Sequence, residues 1–361
     1  VVYGHTGSDG THAWAFPEQK AMVLYFTQTR GTITGLQVEE ALGELLLGVP
    51  FDANQAAPPF EEYLGYYWEG EGDMYRVIVR DGDDMSLEIM GKAIVPLIYI
   101  GEDRWKLQPQ PTSVIEFDRS EDGVVTGYHI GDHEEFRFQP STDLPSTDEL
   151  AARVAEVHRI DLIESLGPLN IKGQMSFPNM KLEGLTEVRL DWPNRFRSDF
   201  VTGEMFERSA FDGENAWYAD VNQAPAILEG PRAEQVRLGS LFSLFGDWHT
   251  WYPELEVIQK LNFNGSEVIL VRAGGLSAPA STLAVEVESG RLLVHASVSD
   301  TPMGRLGSRT RFSDFREVSG MLLPFRTEIE FGNNMLGTAA NTVTEVLFDV
   351  PLEEGLFELT K

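Results

Sequence analysis

Apolar and polar positions alternate with a period of two along most of the chain, and shift to helical spacing in only a few places. Near the amino end, residues 12–16 and 21–27 read as strands joined by the proline turn Pro17-Glu18-Gln19-Lys20. Around residues 37–47, Leu36, Val38, Ala41, Leu42, Leu45 and Leu46 share one helical face, which stops at Gly48. Residues 49–59, with Ala56-Ala57-Pro58-Pro59, have no period and read as a linker. From residue 60 to 140 short strands recur at 74–80, 85–90, 93–100, 114–118, 124–130 and 136–138, with turns at Asp81-Gly82-Asp83-Asp84 and Glu121-Asp122-Gly123. That rhythm predicts a small antiparallel β-barrel.

Past Asp143-Leu144-Pro145, Ser146 and Glu149 form a capping-box pattern ahead of Leu150, Val154, Val157 and His158. A second helical stretch follows to about Leu166. Strands are predicted at 169–177, 183–190, 195–202, 205–212 and 215–221, then a helix from about Ala233 to Phe245. Further strands are predicted at 255–263, 266–273, 281–288, 291–298, 307–315, 323–332 and 341–347, with Asn264-Gly265-Ser266 as a hairpin turn. The expected fold class is mainly β with a few helices. Its parts are a strand-strand-helix unit over 1–48, the small barrel over 60–140, and a half-barrel over 146–361 wrapped around a central helix.

Composition narrows the function classes. The 361 residues are 42% hydrophobic, with 21 Phe and 7 Trp, as a globular core requires. The longest apolar stretch, residues 93–100, is strand length and contains Pro96, so no transmembrane helix is expected. With 57 acidic against 28 basic residues the net charge is −29, which argues against nucleic acid and anionic membrane surfaces as partners. The excess reads as a solubility device for an exported or salt-exposed protein. The absence of cysteine excludes disulfides, thiolate catalysis and Cys-based metal sites.

The sharpest local feature is Tyr3-Gly4-His5-Thr6-Gly7-Ser8-Asp9-Gly10-Thr11, followed by Trp14-x-x-Pro17 and the apolar strand Met22–Phe26. It resembles the last conserved box of the serine β-lactamase-like hydrolases, the CubicO or class C-type branch. The resemblance implies that His5, Thr6, Gly7 and Ser8 line an acyl-transfer cleft, with the Ser8 amide as an oxyanion-hole donor; losing such a donor costs about 3–4 kcal/mol of barrier. His5 stands where penicillin-recognising relatives carry Lys, which points to an ester, amide or peptide substrate. The family's Ser-x-x-Lys and Tyr-x-Asn motifs are absent from this chain. The expectation is therefore a C-terminal fragment of an exported hydrolase, from a truncated frame or a separate chain, that cannot catalyse alone.

Two further resemblances concern the β-rich remainder. Tyr63-Leu64-Gly65-Tyr66-Tyr67 and Phe136-Arg137-Phe138 are similar to the ends of the lipocalin-like barrels appended to such hydrolases. Phe211-Asp212-Gly213-x-x-Ala216-Trp217, Phe312-Ser313-Asp314-Phe315-Arg316-Glu317-Val318-Ser319-Gly320 and Leu323-Pro324-Phe325 resemble the LolA-like, outer-membrane lipoprotein-sorting half-barrels. That resemblance implies an extracytoplasmic carrier or sensor of lipid or acyl groups. The apolar hollow would be lined by Phe200, Met205, Phe211, Trp217, Leu238, Leu241, Phe242, Phe245 and Trp248. The same residues serve equally as a filled core, and a scaffolding role for both β-domains stays open.

No cofactor or metal is expected. His129-x3-His133, with Asp132, Glu134 and Glu135, has metal-like spacing on a helix but falls in a predicted hairpin tip. The enzyme reading has a direct check: an extended upstream frame should contain Ser-x-x-Lys followed by Tyr-x-Asn, and finding neither would remove it.

Overall fold

The computed structural model describes residues 3–6, 11–26, 59–68, 75–81, 84–89, 93–107, 114–138, 141, 143–276, 279–301, 304–332 and 336–359, with isolated positions at 42, 45 and 46. Gly7, Ser8 and the expected helix over 37–47 lie outside these residues, apart from those isolated positions. The chain is mainly β and divides into two compact units, one of residues up to about 139 and the other mainly of residues 140–361.

In the first unit, β1 (Tyr3–Thr6), β2 (His12–Phe16) and β3 (Ala21–Tyr25) form an antiparallel sheet in chain order. Alternation along β2 buries Trp14 and Phe16 together. The same unit contains a closed eight-stranded antiparallel barrel: β4 (Gly65–Trp68), β5 (Tyr75–Asp81), β6 (Asp84–Ile89), β7 (Ala93–Gly101), β8 (Arg104–Leu107), β9 (Val114–Arg119), β10 (Val125–Ile130) and β11 (His133–Arg137). Strands β4 and β8 go beyond the sequence reading, because four residues give too short a period to stand out.

The barrel interior is packed with Tyr67, Ile78, Leu87, Leu97, Trp105, Ile115, Phe117 and Tyr128. One end is tied shut by Arg119, whose guanidinium forks onto Asp103 at 2.8 Å through both Nε and Nη2 and also reaches Glu62. That fork holds the Asp103 carboxyl below its ordinary range. His129 and His133 sit on the β10–β11 hairpin, where Ile130 faces His133 and packs on the interior cluster. Alternation therefore sends His129 to the outer face and His133 to the inner one, so the two imidazoles cannot share a metal ion.

The second unit is a thirteen-stranded sheet: β12 (Leu169–Phe177), β13 (Leu182–Asp191), β14 (Arg195–Thr202), β15 (Met205–Phe211), β16 (Ala216–Asp220), β17 (Ala226–Ile227), β18 (Glu254–Phe263), β19 (Ser266–Gly274), β20 (Ser281–Glu286), β21 (Leu292–Thr301), β22 (Gly304–Val318), β23 (Met321–Phe331) and β24 (Thr338–Phe348). The spatial order runs from β17 back to β12, then from β24 back to β18. The predicted hairpin at Asn264-Gly265 joins β18 to β19, with both residues in the left-handed region at φ 50° and 89°.

Five helices lie on one face: α1 (Thr147–His158), α2 (Ile163–Leu166), α3 (Gly230–Leu238), α4 (Leu241–Phe245) and α5 (Trp248–Trp251). A single apolar cluster joins Val154, Phe242, Phe245 and Trp248 of these helices to residues as far apart in the sheet as Ala216 and Val271. Both flanks of the sheet reach the same helices, which a flat sheet could not do. It is curved.

The single central helix expected over 233–245 is corrected by the structure to two short ones, α3 and α4, with α5 following beyond it. Gly239 ends α3, and the Ser240 hydroxyl caps α4 by accepting the Ser243 amide at 3.2 Å. Asp247 caps α5 in the same manner by accepting the His249 amide. Phe242, Phe245, Trp248 and Trp251 follow a spacing of three, which drifts about 60° per step on a straight helix. Breaking the helix after Phe245 resets the phase, and all four side chains stay in the core.

The buried His158 joins α1 to two strands. Its Nδ1 donates to the Leu322 carbonyl at 2.9 Å, and its Nε2 accepts from the Leu292 amide at 3.3 Å. Burial pushes this imidazole down to about 4. His295, whose Nε2 lies 3.2 Å from the Ser281 hydroxyl, is pushed down to about 4 by the same cause. In the unfolded chain both would take up protons near pH 6.5, so stability falls as pH drops from about 6.5 to about 4 and levels below. The loss is on the order of 3 kcal/mol per histidine. Urea midpoints measured across that window should fall steeply for the parent protein and less steeply for His158→Gln.

Candidate ligand-binding cleft

The capping box on α1 forms as the sequence indicates: Ser146 accepts the Glu149 amide at 3.2 Å and the Glu149 carboxylate takes the Ser146 amide at 2.8 Å. The helix stops at Arg159, whose φ of 53° reverses the chain into a 3-10 turn over Ile160–Leu162. This reversal sets Ala155, Glu156, Arg159, Ile160 and Asp161 along one wall of a cleft of about 540 Å³. Phe242 of α4, Thr250 and Trp251 of α5, and Gly246 and Asp247 between the two helices form the facing wall, and Trp192 and Pro193 from the β13–β14 turn complete it.

The lining is predominantly apolar. The Phe242 ring packs edge-on to Trp192, with centroids 6.0 Å apart, and parallel to Trp251 at 6.4 Å. Trp251 is pinned from behind by Arg237, which lies 5.5 Å over its ring and donates to its carbonyl at 3.0 Å. The polar groups stand at the rim. Asp247 holds the Thr250 hydroxyl at 3.2 Å, and Arg159 Nε donates to Asp161 at 3.3 Å.

The structure brings together part of the expected hollow. Phe211, Leu238, Phe242, Phe245 and Trp248 belong to the same buried cluster, with Leu241 half-buried against it. Their side chains fill the space between sheet and helices, and of the set only Phe242 also lines the cleft. Trp217 points to the opposite face of the sheet, where it packs with Ala210 and Ala219 and donates its indole N–H to the Phe357 carbonyl at 2.6 Å. Phe200 packs against Phe177, 5.7 Å away, and lies so close over Gly184 that a Cβ there would come within 2.5 Å of its ring. Met205 is exposed next to the β14–β15 turn.

At the amino end, His5 and Thr6 lie in the backbone of β1, opposite Ala13 and His12. Among the described residues, no group of three or more His, Asp or Glu is placed to hold a metal ion. The sequence reading missed the wall from Ala155 to Asp161 and the Trp192-Pro193 turn. An aromatic beside proline in a hairpin turn was the available signal, since water-facing turns seldom carry one.

No family model and no curated relative matches the sequence. Similar solved structures include a LolA superfamily protein from Nitrosomonas europaea, with 13% identity and a TM-score of 0.42, covering 60% of this chain and 99% of that one. An outer-membrane lipoprotein-sorting domain from Vibrio parahaemolyticus has 12% identity and a TM-score of 0.41, covering 58% and 95%. A DUF1329 family protein from Desulfovibrio piger has 12% identity and a TM-score of 0.39, covering 59% and 98%.

Phe242 serves both the core and the cleft floor. Phe242→Ala should lower unfolding free energy by about 3–5 kcal/mol in urea titrations, as expected for a large core aromatic.

Proposed function

We propose that the helix-bearing unit works as a non-catalytic binding module, an extracytoplasmic carrier or sensor for a lipid or other acyl-bearing ligand. The observation that carries this reading is the cleft between α1 and α4–α5. Its apolar floor of Ile160, Trp192, Phe242 and Trp251 opens to a polar rim, and its volume suits a small-molecule ligand. The polar end of a ligand would stay at the rim while its chain covers the aromatic floor. Each buried methylene would contribute about 0.8 kcal/mol, so affinity requires no bond-making step. No helix among the described residues is long and apolar enough to cross a membrane.

The acyl-transfer reading is a second proposal. It is favoured by the placement of His5 and Thr6 at the end of an outer strand of the β1–β2–β3 sheet, where a substrate could lie alongside.

A fluorescent apolar probe such as N-phenyl-1-naphthylamine tests the carrier reading. The full chain should bind it and release it to competing lysolipids. Ala155→Trp, which fills the cleft from the α1 wall, should abolish binding while the melting temperature stays close to that of the parent. Unchanged probe binding in a folded Ala155→Trp protein would reject this site.

A further inference from the structure

The rim of the cleft carries a charge pattern that bears on the kind of ligand, an inference that rests on the carrier reading above. Of the residues that line it, Glu156, Asp161 and Asp247 are acidic and only Arg159 is basic. Arg159 already donates to Asp161 at 3.3 Å, so its charge is partly answered within the rim. All four belong to exposed residues on the two facing walls. The floor beneath them is aromatic, with Trp192, Phe242 and Trp251 grouped at centroid separations of 6.0 and 6.4 Å.

We infer that the cleft selects amphiphiles whose polar end is positively charged, a quaternary or primary ammonium, and discriminates against carboxylate and phosphate ends. Two independent forces favour a cation here. Carboxylates at the rim attract it, and the faces of aromatic rings attract it through their quadrupoles. Trp251 already receives one cation in the folded protein, the Arg237 guanidinium 5.5 Å over its ring. An anionic end would meet three carboxylates and a single arginine that is already engaged. The apolar chain would bind the floor in either case, so the head group sets the difference in affinity and the chain sets its base level.

A matched series separates these contributions: decyltrimethylammonium, decanol and decanoate, each below its micelle concentration, titrated into the full chain at low salt. Tryptophan fluorescence and calorimetry supply the readouts. The cation should bind about tenfold more tightly than the carboxylate, with the alcohol between them, and added salt should shrink the spread. Glu156→Gln, Asp161→Asn and Asp247→Asn combined should bring cation and anion to within about twofold of each other, without loss of decanol binding. Asn at 247 keeps a side chain that can cap α5, so this variant is expected to fold.

Because the whole chain carries a net charge of −29, a control variant removes three exposed acids elsewhere, Glu204→Gln, Glu214→Gln and Glu288→Gln. If the control narrows the spread as much as the rim variant does, the preference belongs to the overall field and the inference fails. Equal affinity for all three ligands would overturn the inference while leaving apolar binding intact. Binding of none of them would overturn the carrier reading and this inference together.

Discussion

A thirteen-stranded sheet with one continuous apolar face cannot leave that face in water, and most of the second unit follows from this constraint. Burying each large side chain is worth about 1.5–3 kcal/mol, and the cluster gathers such residues from both flanks of the sheet. Right-handed twist curves the sheet, and five short helices occupy the concavity. They hold their places through specific polar contacts as well as burial. The Ser243 hydroxyl donates to the Leu238 carbonyl at 2.6 Å and so fastens α4 to the end of α3. His158 fastens α1 to β21 and β23 by spending both ring nitrogens on backbone groups. That arrangement fixes its tautomer and makes the neutral form part of the folded state.

The opposite face of the same sheet is organised by charge. Asp199, with only 7% of its surface exposed, receives the Arg197 guanidinium through two bonds of 2.9 Å and has Arg208 at 3.0 Å and Arg189 at 3.4 Å. Removing that carboxylate would leave the guanidinium groups of Arg197 and Arg208 crowded beside Arg189, which Glu187 also holds at 2.6 Å. Arg197 also reaches the Leu356 carbonyl, and Trp217 reaches that of Phe357, so the carboxyl-terminal segment is held against this face.

The two units handle sheet edges differently, with consequences for binding. The eight-stranded barrel closes on itself and fills its interior with aromatic rings, as Tyr67, Phe117 and Tyr128 show with centroid separations of 5.1 to 6.0 Å. The thirteen-stranded sheet stays open. One edge is the two-residue β17; the other, β18, carries a bulge between Val257 and Gln259 and the charges of Glu254, Glu256 and Lys260. Those devices discourage pairing with another chain. The helices pack on the concave face without sealing against one another, and the cleft lies where α1 and α4–α5 diverge.

Period-two alternation and turn chemistry located the longer strands of both units within a few residues, and β12 at 169–177 and β14 at 195–202 to the residue, because each depends on neighbours within the same segment; the short β4, β8 and β17 were not legible. The capping box at Ser146 and the hairpin at Asn264-Gly265 were legible for the same reason. Which face of a strand meets the helices was not, since alternation marks two faces without naming them. Trp217 and Phe211 both read as apolar strand residues, yet register put them on opposite sides. The site lay further out of reach. Asp161, Trp192 and Trp251 are separated by tens of positions, and only the curvature of the sheet, a long-range packing property, brought them to one cleft.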